Sequence, residues 1–217
     1  MIELIFEDNH QLVLNKPAGL LTQPSGTDQE SLEALAKDWL KRKYSKPGNV
    51  FLEAVHRIDR PVSGIVLFAK TSKGLSRLQA VLRDKKTEKT YLAIVEGTLT
   101  NKHAVLEHFI VHDDFHASIS DQNNPAAKKA ILEYKVLKEI AGGTLLEIKL
   151  HTGRYHQIRV QLSAIGHPIW GDEKYGSHHT LNLPGVIALH HVTFSLPHPI
   201  TDLPQTFQAP LPNYFKI

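Results

Sequence analysis

The chain has 217 residues, 41% hydrophobic and 22% charged, with a formal net charge of +3. It is long enough to bury a substantial core, and no apolar run approaches the roughly 18 residues of a membrane-spanning helix. It holds no cysteine, which excludes disulfides and thiolate metal sites and fits a reducing, cytoplasmic setting.

The start, MIELIFED, lacks the basic region and apolar core of a secretory signal. Residues 2–7 and 11–15 read as strands around the polar turn EDNH, and KPAGLLTQPSGTDQE reads as a long loop. Residues 31–44 form a helix in this reading, with Leu32, Leu35, Ala36, Trp39 and Leu40 on one face. FLEAVHRID is a strand running into an Arg-Pro-Val-Ser-Gly turn, and GIVLFAKT is a buried strand. Residues 72–83 are a second helix with Ser72 as the expected N-cap. TEKTYLAIVEG is a strand that places Tyr91, Ala93 and Val95 on one side.

Residues 104–111 and 130–138 read as further strands, separated by a polar loop. TLLEIKLHTG is another, ending at Gly153. A third helix is expected over 154–165, stopping at Gly166, and GVIALHHVTFSL is the last long strand. No repeat and no evident linker divides the chain, and strands and helices mix without a βαβ rhythm. The expectation is a single domain over 1–217, α+β, with a mixed, largely antiparallel central sheet flanked by helices.

Three stretches carry candidate chemistry. VHRIDRPVSG sets Asp59 between Arg57 and Arg60 where a strand meets a turn. Flanking cations favour an ionised carboxylate, which suits a nucleophile or an electrostatic stabiliser better than a general acid. The bland alternative is an ion-paired turn aspartate. HTGRYHQIRVQLSAIGHPIWGDEKYG places Arg159 below a glycine turn, where a guanidinium can grip a carboxylate or phosphate in bidentate fashion. On a helix, Tyr155, Arg159 and Ser163 share a face. EKTYLA holds Tyr91 in a strand, two residues after Lys89. Basic stretches at 37–46 and 83–89 suit an anionic partner or, more simply, a solvated face. His112 and His116 are spaced four apart, but no third ligand accompanies them, so no metal is expected.

Taken together these stretches resemble the RluA family of RNA pseudouridine synthases. HRIDRPVSG is similar to that family's HRLDxxTSG motif, EKTYLA to K-x-Y-x-A, and TGRYHQIRVQLSAIGHPIWGDEKYG to its long third motif. NKPAGLLTQP matches its NKPxGL segment, and AKKAILEYKVL its lead-in to the third motif. The matches stand in family order across nearly the whole chain. Departures are Tyr155 in place of Thr or Ser, Pro61 and Val62 in a variable part, and Gln161 in place of a frequent His. The resemblance covers the catalytic domain, with no N-terminal S4 domain expected.

The resemblance implies the pseudouridine synthase fold and the isomerisation of uridine to pseudouridine in rRNA or tRNA after base flipping. No cofactor is expected. It implies Asp59 as the essential carboxylate, Arg159 as the arginine that pairs with it, and Tyr91 as the tyrosine that stacks on the target base. Arg57 corresponds to a residue that enters the space left by the flipped uridine. His56, Arg154, His156 and Ile158 lie within the motifs and are carried over as RNA-contacting candidates. Two other readings use the same residues: an idle RNA-binding protein, which could dispense with Asp59, and a hydrolase pairing Asp59 with Asp172. A monomer is expected.

Overall fold

The computed structural model describes residues 2–215. Strands and three helices form two compact units, one of residues up to 88 together with 191–211, the other of 89–190 with the C-terminal segment from 212. Every strand pair with an assigned register is antiparallel. The α+β class with largely antiparallel strands is therefore what the chain forms.

In the first unit, β1 (Glu3–Glu7), β2 (Gln11–Lys16), β4 (Ser63–Ala69) and β10 (Leu189–Pro197) are neighbours in that order. The short β3 (Glu53–Ala54) pairs with β4, and β11 (Pro204–Gln208) pairs with β10. The turn between β1 and β2 is closed by Asp8, whose Oδ1 accepts from the backbone N–H groups of His10 and Gln11 at 2.7 and 2.6 Å. Every residue of β4 is buried, as its unbroken apolar run requires.

Val13, Ile65, Leu67, Phe194, Leu196 and Phe207 form the core of this unit with Leu78 of α2 (Ser72–Arg83). Ser31 caps α1 (Leu32–Lys43), its side chain accepting from the Ala34 N–H at 3.2 Å. The cap of α2 is Thr71, one residue before the expected Ser72: the Thr71 hydroxyl accepts from the Gly74 N–H at 3.0 Å.

In the second unit the order is β5 (Glu88–Glu96), β9 (Gly143–Leu150), β8 (Lys128–Ile140), β6 (His103–Asp113) and β7 (His116–Ser120). Helix α3 (Gln157–Ala164) packs Val160 on Ile110, Ala117 and Ala130. The segment expected to be one long polar loop thus contains β7, which returns on β6 through a two-residue turn at Asp114 and Phe115. Its sequence HASIS buries only Ala117, too little apolar pattern to mark a strand. The final strand β11 escaped for the same reason: of PQTFQ, only Phe207 is buried.

Candidate active site

Asp59 lies in the turn between β3 and β4, and the residues on both sides of it are tied to one loop. The strand expected over 51–59 stops after Ala54. Val55 still donates its N–H to the Leu67 carbonyl at 2.9 Å, but the Leu67 N–H goes to the His56 imidazole Nε2 at 3.2 Å. A side chain has taken the next ladder position, so the backbone is released into a turn. That bond makes His56 a neutral acceptor at Nε2, wedged edge-on against Phe194 and His191 at 4.9 and 5.5 Å between ring centres.

The released turn is then clamped. The Thr22 hydroxyl donates to the Ile58 carbonyl at 2.8 Å and accepts from the Ile58 N–H at 3.3 Å. On the other side, the Gly19 N–H donates to the Arg60 carbonyl at 2.8 Å, and Arg60 Nε returns a bond to the Gly19 carbonyl at 3.0 Å. Lys16 Nζ reaches the Arg60 carbonyl at 3.2 Å. Asp59 itself closes a turn by accepting the Val62 N–H at its backbone oxygen, 3.1 Å away. Arg60 therefore serves the backbone, while Arg57 is exposed.

Two glycines make this geometry possible. Gly19 has φ +87°, a left-handed conformation that side chains disfavour. Gly64 has φ +115°, and a Cβ there would lie 2.3 Å from the His191 carbonyl oxygen. The glycine that ends HRIDRPVSG is thus fixed by the close passage of another strand.

In the second unit, Tyr91 is buried in β5 opposite Ile148 of β9. Burial depresses the pKa of Lys89. Helix α3 begins at Gln157, three residues later than expected, because His156 adopts a left-handed φ of +51°. Arg154 and Tyr155 consequently lie outside the helix, and the expected helical face of Tyr155, Arg159 and Ser163 does not form. Gln157 seals the turn, its Oε1 accepting from the Thr152 hydroxyl at 2.8 Å and the Arg154 N–H at 3.0 Å. Arg154 is exposed and donates from Nε to the Lys129 carbonyl at 2.9 Å.

Arg159 is 5% exposed and grips Asp172, itself 1% exposed, in bidentate fashion. Nε donates to Oδ2 at 2.7 Å and Nη2 to Oδ1 at 2.8 Å. The guanidinium also sits 4.9 Å over the Tyr175 ring. The Tyr175 hydroxyl accepts from the Ala117 N–H at 3.0 Å and shares a second hydrogen bond with His156 Nδ1 at 2.7 Å. Burial, with Arg159 and Lys174 nearby, pushes His156 down to about 3. It is a neutral ring stacked on Tyr155 at 3.9 Å between centres, not a cation for a phosphate. Ile158 is 5% exposed.

Sequence reasoning passed over Lys16, Thr22 and Tyr175, and read Asp172 as part of a turn. The signal for Lys16 was its place at the end of an apolar strand, just before Pro17. Among the described residues no three His, Asp or Glu side chains gather as a metal-ligand set, and no helix is long and apolar enough to cross a membrane.

A model of the RNA pseudouridylate synthase family matches residues 10–164. The chain belongs to this family. It is 36% identical over 96% of its length to a ribosomal large subunit pseudouridine synthase C of Vibrio vulnificus, covering 65% of that protein. It is 36% identical over 99% of its length to the uncharacterized RNA pseudouridine synthase YhcT of Bacillus subtilis, covering 70% of it. The dual-specificity RNA pseudouridine synthase RluA of Haemophilus influenzae is 31% identical over 96% of this chain and is covered to 92%. The chain thus spans about two thirds of the length of the first two relatives. The solved structure of human RNA pseudouridylate synthase domain containing 4 superposes with a TM-score of 0.82 over 99% of the chain, at 22% identity, which establishes a shared fold.

Proposed function

We propose that this pseudouridine synthase family member isomerises uridine to pseudouridine in RNA, with Asp59 as the essential carboxylate. The observation that carries the reading is the clamp on both neighbours of Asp59, in a chain whose residues 10–164 match the family. A carboxylate in a flexible turn is a poor catalyst; one held between two tied residues keeps its geometry through the reaction.

The reaction breaks the bond from uracil N1 to ribose C1′, turns the base, and joins C5 to C1′. N1 gains a proton and C5 loses one, so atoms and electrons balance without a redox partner. Asp59 serves the cleavage and rejoining. Tyr91 faces the base and Arg159 supports the carboxylate, as the family motifs imply. The target uridine leaves its stack at a cost of a few kcal/mol, and the exposed Arg57 fills the gap. The substrate we favour is ribosomal RNA, after the large-subunit names of relatives matched over nearly the whole chain.

Mapping pseudouridines in the RNA of cells with and without the gene tests this reading. A ribosomal uridine that is modified only when the gene is present supports it; identical maps contradict it.

A further inference from the structure

Glu96 ends β5 and is half-buried. Its side chain gathers a stretch of chain that lies about 80 residues further on. One carboxylate oxygen, Oε1, accepts from the Ser177 hydroxyl at 2.6 Å, the His178 N–H at 2.7 Å and the His179 N–H at 2.8 Å. Two successive backbone N–H groups that converge on one anion form a nest, and here the chain's own carboxylate fills it. Burial raises the Glu96 pKa, but the bonds from Ser177, His179 and His178 outweigh it and leave the group below the ordinary glutamate value. The segment 177–186, SHHTLNLPGV, contains no helix or strand, and residues 178–180 and 182–185 are exposed. It has little apolar surface of its own with which to hold its course. What Glu96 fixes is the backbone on both sides of Asp172. The His179 carbonyl accepts the Gly171 N–H at 2.8 Å, and the Ser177 N–H donates to the Asp172 carbonyl at 3.1 Å. The Asp172 side chain then grips Arg159 through two bonds.

We propose that Glu96 is a positioning residue for Arg159: its carboxylate, seated on Ser177, His178 and His179, holds the backbone around Asp172 and through it the guanidinium. The inference rests on the reading of Arg159 as the support of Asp59. Glu96 acts at a distance and needs no contact with RNA or with the reacting atoms. Its loss frees the 177–179 backbone, and Asp172 shifts with it. A misplacement of about 1 Å costs on the order of 100-fold in rate. Asp172 keeps its own backbone bonds to Ile169 and Tyr175, so its shift is smaller than that.

The test uses RNA carrying tritium at uracil C5, prepared from cells lacking the gene, with enzyme in excess over sites. Tritium release is timed for the wild type, Glu96→Ala, Glu96→Gln, Asp172→Asn, the double variant Glu96→Ala with Asp172→Asn, and Arg159→Ala. The folded fraction of each is measured by circular dichroism. Alanine removes the acceptor; glutamine keeps an Oε1 for the same three donors. Glu96→Ala and Asp172→Asn are each expected to be about 10-fold slower than wild type at saturating enzyme. The half-saturating concentration of Glu96→Ala stays within about threefold of wild type. Glu96→Gln is rescued to within about threefold of the wild-type rate. Because Glu96 works through Asp172, the two losses do not multiply, and the double variant stays within about threefold of the slower single one. A rate for Glu96→Ala or Asp172→Asn within about twofold of wild type overturns the proposal. So does a glutamine variant as slow as the alanine one, a double variant whose loss is the product of the two, or losses that only follow the folded fraction. If Glu96→Ala does not fold, Glu96 is a folding residue and the assignment falls. Arg159→Ala separates the two claims: if it releases tritium as the wild type does, the reading of Arg159 fails first and this inference with it.

Discussion

Arg159 and Asp172 form a buried, two-pronged ion pair, with both bonds at 2.7–2.8 Å and both side chains almost sealed from water. The aspartate of the GDEKYG stretch is thus one partner that holds the guanidinium of the third motif. Removing Asp172 takes two charge-assisted hydrogen bonds from a buried guanidinium. Asp172→Ala is expected to destabilise the protein by about 3–5 kcal/mol, read from urea unfolding. Asp172→Asn keeps the shape and one acceptor and is expected to cost less. Equal stability of wild type and Asp172→Ala contradicts this account of the pair.

The two glycines around Asp59 differ in kind. Gly64→Ala drives a methyl group onto the His191 backbone at 2.3–2.8 Å, with main chain on both sides of the collision. This variant is expected to lose several kcal/mol and to accumulate as insoluble protein. Gly19→Ala meets nothing within 4 Å and pays only for its left-handed φ of +87°, about 1–2 kcal/mol. It should remain folded while its rate of tritium release falls, since Gly19 is bonded to Arg60 on both its N–H and its carbonyl. A soluble, stable Gly64→Ala protein contradicts the steric argument.

His156 gives a pH signature. Its pKa is held at about 3 in the folded protein, below the ordinary histidine value of 6.5, by burial first and then by Arg159 and Lys174. Between these values the unfolded chain carries the extra proton, so stability rises with pH across the window and is fully present above about 6.5. It is lost as pH falls toward 3. Depressed carboxylates such as Glu7 and Asp8 act below their ordinary values of 4.5 and 3.8, so between pH 5 and 6.5 the slope comes from histidines, His156 together with His108, which burial also lowers. His156→Gln is expected to flatten the stability slope there, as measured by chemical unfolding at a series of pH values. An unchanged slope contradicts the assignment.

The basic residues at the end of helix α1 differ in their contacts. Lys43 bonds Glu7 at 2.5 Å, and Lys70 reaches the same carboxylate at 2.7 Å. Burial raises the Glu7 pKa, but the hydrogen bonds from Lys43, Lys70 and Tyr44 outweigh it, leaving the carboxyl below the ordinary glutamate value. Lys41 and Arg42 are exposed. Reversing Lys41 and Arg42 to Glu is expected to weaken RNA binding and lower its salt dependence without altering the melting temperature. Lys43→Glu should lower the melting temperature by placing an acid against Glu7. Filter binding at several salt concentrations checks the first expectation and calorimetry the second. Unchanged RNA affinity in the double variant removes α1 from the RNA surface.

Long apolar signals were legible in the sequence. The buried run of β4 and the stripes of α1 and α2 have the periods their structures require, and the motif order pointed to the family. Short polar strands were not legible: β7 and β11 are held by ladder bonds and one buried side chain each, which leave little trace in hydrophobicity. The start of α3 was placed too early because nothing in GRYHQIRV announces a left-handed histidine. The motifs drew attention to Asp59 and Arg159, whereas the groups that hold them became visible only through distance. Lys16 lies 43 residues before Asp59 in the chain, yet its ammonium bonds the carbonyl of the next residue, Arg60.

The most direct test of the central claim is tritium release to water from C5-labelled RNA of cells lacking the gene, comparing the wild type with Asp59→Ala at equal folded concentration. The wild type is expected to release tritium and the variant none above background, with RNA binding retained by both. Equal release by the two proteins, or none by the wild type on RNA shown to contain its target uridine, contradicts it.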